Sequence, residues 1–460
     1  MNSVTVLLIS LLLVRSLSLV PLFVGSKVIE VPKDYSSIQL AIDEANPGDI
    51  IQVASGTYFE NLKIKKPLKL IGEGPDKTVI SKPGRTVVSV TASDVEIRGF
   101  GVQDGTYGIF LYYSSGVLLK NNDMSNNTWN FAIWGNSVSH FVHDIDCSNI
   151  VDGKPTYYWV NENGKHISQD AGYVALVNCT NVTAEDLSLT SNEQGVLLVN
   201  TKESIIKNVT MSGNDVGIDL LMSSNNTIIM NSLIAINWLS IYLTSSNNNT
   251  FTENTIRNGD YGISTRYSNG NTIYHNNFID NIVQQYQVNS SNKWDNGAEG
   301  NYWSDYNGTD TSGDGVGDTL VPHLGVDYHP LMSIYDTLPP IAHAGEDRTV
   351  FENTSVDFNA SGSTDNVGIE SYIWNYGDGS VGAGLTTKHT YSVAGNYTVK
   401  LTVEDAAGNT ATHAVTVVVV KAPEPFEWRI VVAGVGVGAA VILATIFWMR
   451  RSLRKRKVKK

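Results

Sequence analysis

The stretch Ile205 to Asn277, IIKNVTMSGNDVGIDLLMSSNNTIIMNSLIAINWLSIYLTSSNNNTFTENTIRNGDYGISTRYSNGNTIYHNN, decides the fold because it repeats. Set in one column, Val182, Ile205, Ile228, Phe251 and Ile273 are spaced 23, 23, 23 and 22 residues apart. Asn208, Asn231, Asn254 and Asn276 form a second column. Gly195, Gly217, Ser240 and Gly262 form a third, followed by Val196, Ile218, Ile241 and Ile263. Apolar residues alternate and no helical i, i+3, i+4 pattern runs through them. A period of this length predicts a parallel β-solenoid of about three short strands per coil. One coil cannot bury its apolar residues alone; stacked coils pile like on like into a continuous core. The Asn column is expected at a bend, each side-chain amide bonding to the Asn one coil away.

Working outward, 460 residues leave room for two or three domains. Charged residues are sparse at 17%, and 40 glycines suit turn-rich β structure. The net charge of −13 conceals an asymmetry. Residues 450–460 hold eight Lys or Arg and no acid, which leaves 24 basic against 45 acidic side chains elsewhere, about −21. Such a body repels nucleic acid and polyanionic glycans unless a divalent cation bridges them.

Both ends are apolar. Residues 1–26 read as a secretory signal, with Val24 and Ser26 as the small residues before cleavage. Arg15 interrupts the run, so an uncleaved anchor is the alternative. Residues 430–449 form an apolar run of about 20, enough at ~1.5 Å each to cross a ~30 Å hydrocarbon core. The basic tail 450–460 follows directly, and the positive-inside rule puts it in the cytoplasm with everything earlier outside. The expected location is the cell membrane, single-pass. Eleven N-x-S/T sites are candidates for glycosylation: Asn126, Asn178, Asn181, Asn208, Asn225, Asn248, Asn289, Asn307, Asn353, Asn359 and Asn396. Outside the cell the two cysteines, Cys147 and Cys179, are free to pair. They bracket the segment Val151 to Asp170, which breaks the repeat and reads as a hairpin excursion. A disulfide there would pin its base, worth on the order of 3–4 kcal/mol if unstrained.

Ahead of the repeat, Tyr35 to Ala45 (YSSIQLAIDEA) puts Ile38, Ala41, Ile42 and Ala45 on one helical face, with Ser36 as N-cap. An amphipathic helix here would plug the open end of the solenoid. The phrase IQLAIDEANPGDIIQVASGTYFENLKIKKPLKLIGEG resembles the entrance of right-handed β-helix proteins, the pectate-lyase-like superfamily and its NosD-type branch. The excursion, the phrase GYVALVNCTN and the exit GNYWSDYNGTDTSGDGVGDTLVP are similar to those of secreted, archaeal-type NosD-like proteins. This likeness implies an all-β chain: a right-handed parallel β-helix over 27–335, with an N-terminal helical cap and an exit loop at 300–332. Beyond the linker, 341–420 alternates in period two with regular turns, as a small β-sandwich does. WNYGDGS and HTYSVAGNYTVKLTVEDAAGN resemble PKD domains, immunoglobulin-like modules of surface proteins, with Trp374 and Tyr391 in the core.

Residues able to carry chemistry are few. Asp310, Ser312, Asp314, Val316 and Asp318 place oxygen ligands at every second residue around Gly turns, a pattern that suits a weak structural Ca²⁺ site. An EF-hand's twelfth-position Glu is replaced by Val321. For a lyase or hydrolase, carboxylates should stand about one coil apart, roughly 5 Å on neighbouring rungs. Asp219 aligns with Leu197 and Tyr242, and Asp215 and Asp260 with Trp238, so the columns supply no stacked pair of aspartates. The NosD likeness raises copper, for which His140, His143 and Cys147 or Met211, Met222 and Met230 are the candidate soft ligands. Strand alternation puts Phe141, His143, Ile145 and Cys147 on one face, which reads as core packing, and the methionines read as core filler.

Aromatic surface remains. The positions flanking each Gly-Ile step should face outward and bring Tyr107, Phe110, Phe131, Trp134, Tyr242 and Tyr261 into rows. Rings beside Asn and Asp suit neutral sugars, whose apolar ring faces stack while hydroxyls bond the polar neighbours. The expected function is a membrane-anchored extracellular surface protein whose rigid β-helix binds carbohydrate or cell-surface material without catalysis, its partners a glycan and the membrane but no nucleic acid. A polysaccharide-active lyase or hydrolase and a copper-handling accessory protein are the alternatives.

Overall fold

A computed structural model describes residues 26–422. The expected signal, the apolar run 430–449 and the basic tail lie outside the described residues. Among those described, no helix is long and apolar enough to cross a membrane.

The chain winds into a right-handed-type solenoid of about 13 coils, plugged at its start by the helix Ile38–Glu44. Ile38, Ala41 and Ile42 are buried on the first coil, and the N-cap is Ser37, whose Oγ accepts from the Leu40 amide at 3.2 Å. The capping serine thus lies one position beyond the one expected. Parallel neighbours run in register coil after coil: Ile206 on Ile228, Ile228 on Phe251, Phe251 on Ile273.

That register corrects two of the columns. Ala184 and Ile206 lead into Ile228, Phe251 and Ile273, whereas Ile205 pairs with Thr183 and is exposed. Val182 is buried but aligns with Ser204. The Asn ladder likewise starts at Val209, whose amide donates to Asn231 Oδ1 at 3.0 Å, and continues through Asn254, Asn276 and Asn301. Asn208 instead occupies a left-handed corner at φ 50° and faces solvent. Two Asn-tolerant positions sit side by side, one a left-handed corner and one a ladder site, so composition alone does not separate them. In the Gly195, Gly217, Ser240 and Gly262 column the register is as read.

Three long polar ladders run through the interior of the second stack. Besides the one above, Ser204, Asn226, Asn249, Asn271 and Asn292 form a second. Cys179, Thr201, Ser223, Ser246, Ser268 and Ser290 form a third. Each buried side chain satisfies the main-chain amide of the coil before it, which is how the bends can be buried at all. The first ladder ends on Asp327, whose Oδ2 accepts from the Asn301 amide at 2.9 Å and Trp303 Nε1 at 2.8 Å. Trp303 and Trp294 close the far end over Phe278. The exit region is therefore the second plug of the core.

The excursion divides the solenoid. Ile150–Val151 and Lys154–Val160 form an antiparallel hairpin, and the second strand then pairs parallel with Tyr173–Val177. One twelve-stranded sheet passes through this point, while the other faces are separate sheets on either side of it. Tyr173–Val177 and Gln194–Val199 are buried on both faces. Tyr173, Ala175, Val177, Leu197 and Val199 join the first core, and Val174, Leu176, Val196 and Leu198 the second. The solenoid is thus two stacks sharing a wall, rather than one uniform rod.

Residues 341–420 form a sandwich of a five-stranded and a two-stranded sheet. Trp374 and Tyr391 are buried in its core, as expected.

Candidate functional site

Where the two stacks meet, the strand Trp129–Trp134 ends the first stack's four-stranded sheet. The turn before Gln194–Val199 fastens onto its free edge. Asn130 N–H donates to the Ser191 carbonyl (2.7 Å), Glu193 N–H to Phe131 (3.1 Å) and Gln194 Nε2 to Ile133 (3.0 Å).

This puts the Glu193 carboxyl, 1% exposed, beneath the first stack's aromatics. Its Oε1 accepts from Trp134 Nε1 at 2.7 Å, and its Oε2 is buried without a partner. Tyr173 Oη and Gln194 Oε1, also buried, lack partners as well. Burial, with the Asp215 charge adding to it, pushes Glu193 up to about 7. Trp134 stacks on Trp238 across the seam, centroids 6.1 Å apart.

Register then extends the site along the second stack. Gln194, Val216, Leu239 and Tyr261 are consecutive partners. The residues before them, Glu193, Asp215, Trp238 and Asp260, therefore form a column. The Val216 amide bonds the Glu193 carbonyl at 2.7 Å, Trp238 the Asp215 carbonyl at 2.9 Å, and Tyr261 the Trp238 carbonyl at 3.0 Å. Rungs lie ~4.8 Å apart. Burial raises Asp215, with Asp260 adding to it. Asp219, four residues along the same rung, is pushed up to about 7 by burial and then by Glu193.

The expected absence of stacked carboxylates is thereby corrected. Glu193 and Asp215 are 22 residues and one rung apart. The signal was present in the repeat, but a search for aligned aspartates passes over a glutamate.

The aromatic residues divide. Tyr107 stacks on Phe110 at 5.1 Å and packs on Trp129 at 4.9 Å, all half-buried on the first stack. Phe131 is fully buried, its ring against Tyr173 at 5.0 Å, and so contributes to the core instead of the surface. Phe110 aligns with Ala132, and Trp134 with Tyr112, which shifts the expected rows by two residues. Tyr242 and Tyr261 face outward on the second stack, Tyr242 beneath Arg266 at 6.0 Å and Tyr261 beside Tyr286 at 6.1 Å. Trp238 was absent from the expected rows, yet it is the ring that joins the two stacks.

The cysteines are free thiols, which corrects the expected disulfide. Cys179 is a member of an interior ladder, its thiol donating to the Val177 and Trp159 carbonyls at 3.4 Å, while Cys147 is exposed. One points into the core and the other out, because alternation runs through Phe141, His143 and Ile145 and stops before Cys147. The same geometry does not suit copper. His143 is buried, its Nδ1 accepting from the Val117 amide (3.1 Å) and its Nε2 donating to the His140 carbonyl (3.0 Å). Burial lowers it to about 4. His140 lies on a 3₁₀ turn, Val138–Phe141. Met211 is buried, but Met222 and Met230 occupy left-handed corners, so only one of the three fills the core.

At the exit loop the carboxylates cap their own turns. Asp310 accepts from the Gly315 amide at 2.8 Å and also from Gly313, Asp318 from Thr311 and Ser312, and Asp314 from Val316. Among the described residues, one group of acids brings its oxygens within 4.8 Å: Asp336, Asp365 and Asp405, between the linker and the sandwich. Asp336 Oδ2 and Asp365 Oδ1 there are buried without partners. Ten of the eleven candidate glycosylation asparagines are exposed, and Asn178 is half-buried.

Residues 142–308 match the family described as periplasmic copper-binding protein (NosD), and 337–420 match the PKD domain. A cell surface glycoprotein of Methanothermus fervidus is 31% identical over 122 residues, 26% of this chain and 21% of that one. The chain spans 8% of each of two matching collagenases, from Bacillus cereus and Vibrio alginolyticus. Among solved structures, the PKD1 domain of Vibrio anguillarum Epp is 31% identical, covering 19% of this chain and all of that one, with a TM-score of 0.17. An alginate lyase from a Paenibacillus species is 15% identical, covering 58% of this chain and 99% of that one, with a TM-score of 0.30.

Proposed function

This chain is a NosD-like right-handed β-helix followed by a PKD domain, and from that premise we propose that it is an extracellular surface protein whose seam binds a glycan. One observation carries the reading: indoles and carboxylates from two separately built stacks converge at Glu193, Trp134 and Trp238. Stacked rings beside carboxyl groups are the chemistry of sugar recognition. The surface glycoprotein relative and the exposed sequons agree with an extracellular place. The apolar run 430–449 is proposed as its anchor, with the PKD domain as spacer. Calcium is proposed as a structural ion, held by Asp310, Ser312, Asp314, Val316 and Asp318 or by the Asp336, Asp365 and Asp405 trio.

Hydrolysis is the second reading, favoured by Glu193 and Asp215 on neighbouring rungs. A retaining glycosidase needs two carboxyl groups ~5 Å apart, one of them protonated near neutral pH. A panel of polysaccharides scored for both retention and released sugar tests the two together. Retention without release supports binding alone, release supports the enzyme, and neither outcome on any polysaccharide rejects both.

A further inference from the structure

The acids at the seam also decide which sugars fit, an inference that rests on the glycan reading above. We infer that Trp238, flanked by Asp215 and Asp260, is a clamp for an uncharged sugar, and that polyuronates and sulfated glycans are rejected there. Trp238 is 38% exposed and carries Trp134 as its stacking neighbour. In its column Asp215 comes one rung earlier and Asp260 one rung later, fixed by the Trp238 amide on the Asp215 carbonyl and the Tyr261 amide on the Trp238 carbonyl. With rungs ~4.8 Å apart, a carboxylate borders the indole on each side.

A pyranose laid on an indole offers its C–H face to the ring and its hydroxyls around the rim. Ionised carboxylates accept hydrogen bonds and donate none, so the rim here matches hydroxyl donors. A uronate or sulfate would bring a third negative charge between Asp215 and Asp260. Arg266, on the same face, is drawn over the Tyr242 ring and does not neutralise that column. Shape invites a sugar, and charge restricts which.

The test immobilises the full chain in mild detergent and measures retention of a neutral β-glucan, a neutral mannan and alginate, each with chelator and with added Ca²⁺. The expected result is binding of at least one neutral polymer and none of alginate in either condition. Trp238→Ala should weaken neutral binding about tenfold or more, and Trp238→Phe should restore most of it, which separates loss of the ring from loss of the fold. Asp215→Asn with Asp260→Asn should weaken neutral binding about tenfold while admitting alginate. Alginate binding by the unaltered chain, calcium-dependent or not, overturns the proposed class and leaves the glycan reading intact. Neutral binding that Trp238→Ala leaves unchanged overturns the clamp. Retention of no polymer overturns the glycan reading itself.

Discussion

Replacing Glu193 by Gln probes the seam most directly. The carboxyl is 1% exposed, accepts from Trp134 Nε1 at 2.7 Å, and is held near 7 instead of 4.5 by burial and by Asp215. For a carboxyl whose folded pKa is raised, the native chain binds more protons than the unfolded chain between those two values. Stability therefore falls as pH rises from about 4.5 to about 7 and stays lowered above it. At about 1.36 kcal/mol per tenfold, the loss is about 3 kcal/mol. Gln keeps the acceptor for Trp134 and cannot ionise. Chemical unfolding followed by circular dichroism between pH 4.5 and 8 should show Glu193→Gln equal to the parent at the acid end. By pH 8 it should be more stable by about 3 kcal/mol, with Asp219, which faces the same carboxyl, shifting its own titration downward. Parallel pH profiles for the two proteins, or a less stable Gln variant at pH 8, would refute the claim that a neutral carboxyl is buried at this joint.

Other consequences are independent of that one. Ile206→Ala should destabilise by about 2–5 kcal/mol and Ile205→Ala by no more than about 0.5, since only the first lies in the core; similar losses would mean the register is wrong. Asn254→Ala removes the acceptor of the Asn231 amide and should cost about 1–3 kcal/mol, while Asn208→Gly, which is free to keep the left-handed φ of the exposed corner, should cost clearly less in thermal unfolding. Mass spectrometry without reductant should find both thiols free, with Cys147 alkylated in the native state and Cys179 only after unfolding; an intact Cys147–Cys179 bridge counts against the interior ladder. Added Ca²⁺ should raise the melting temperature. Asp336→Asn removes the rise if the linker trio holds the ion, and Asp318→Asn does so if the exit loop holds it; no rise in the parent protein rejects the calcium proposal.

The repeat itself was legible in the linear chain because a solenoid places equivalent residues at near-constant spacing, so burial and turn chemistry appear directly as period. The core Ile and Phe, the glycine column, the N-terminal helical plug and the PKD module all follow from such local chemistry. Register was only half legible. In the second stack one coil of 23 residues interrupts coils of 22, and a slip of one residue exchanges an inward position for an outward one, as with Ile205 and Ile206.

The seam was another matter. It depends on a hairpin at Ile150 to Pro155 letting one sheet continue while its neighbours stop, so that Glu193 comes to rest under Trp134, 59 residues away in the chain. No periodicity encodes that meeting, because it relates two stacks rather than two coils of one. Sequence alone determined that the coils stack and which residue types fill them, since a near-constant period superimposes equivalent positions. Tertiary structure alone decided which acids lose their water and which rings face one another, since both depend on where one stack ends against the other.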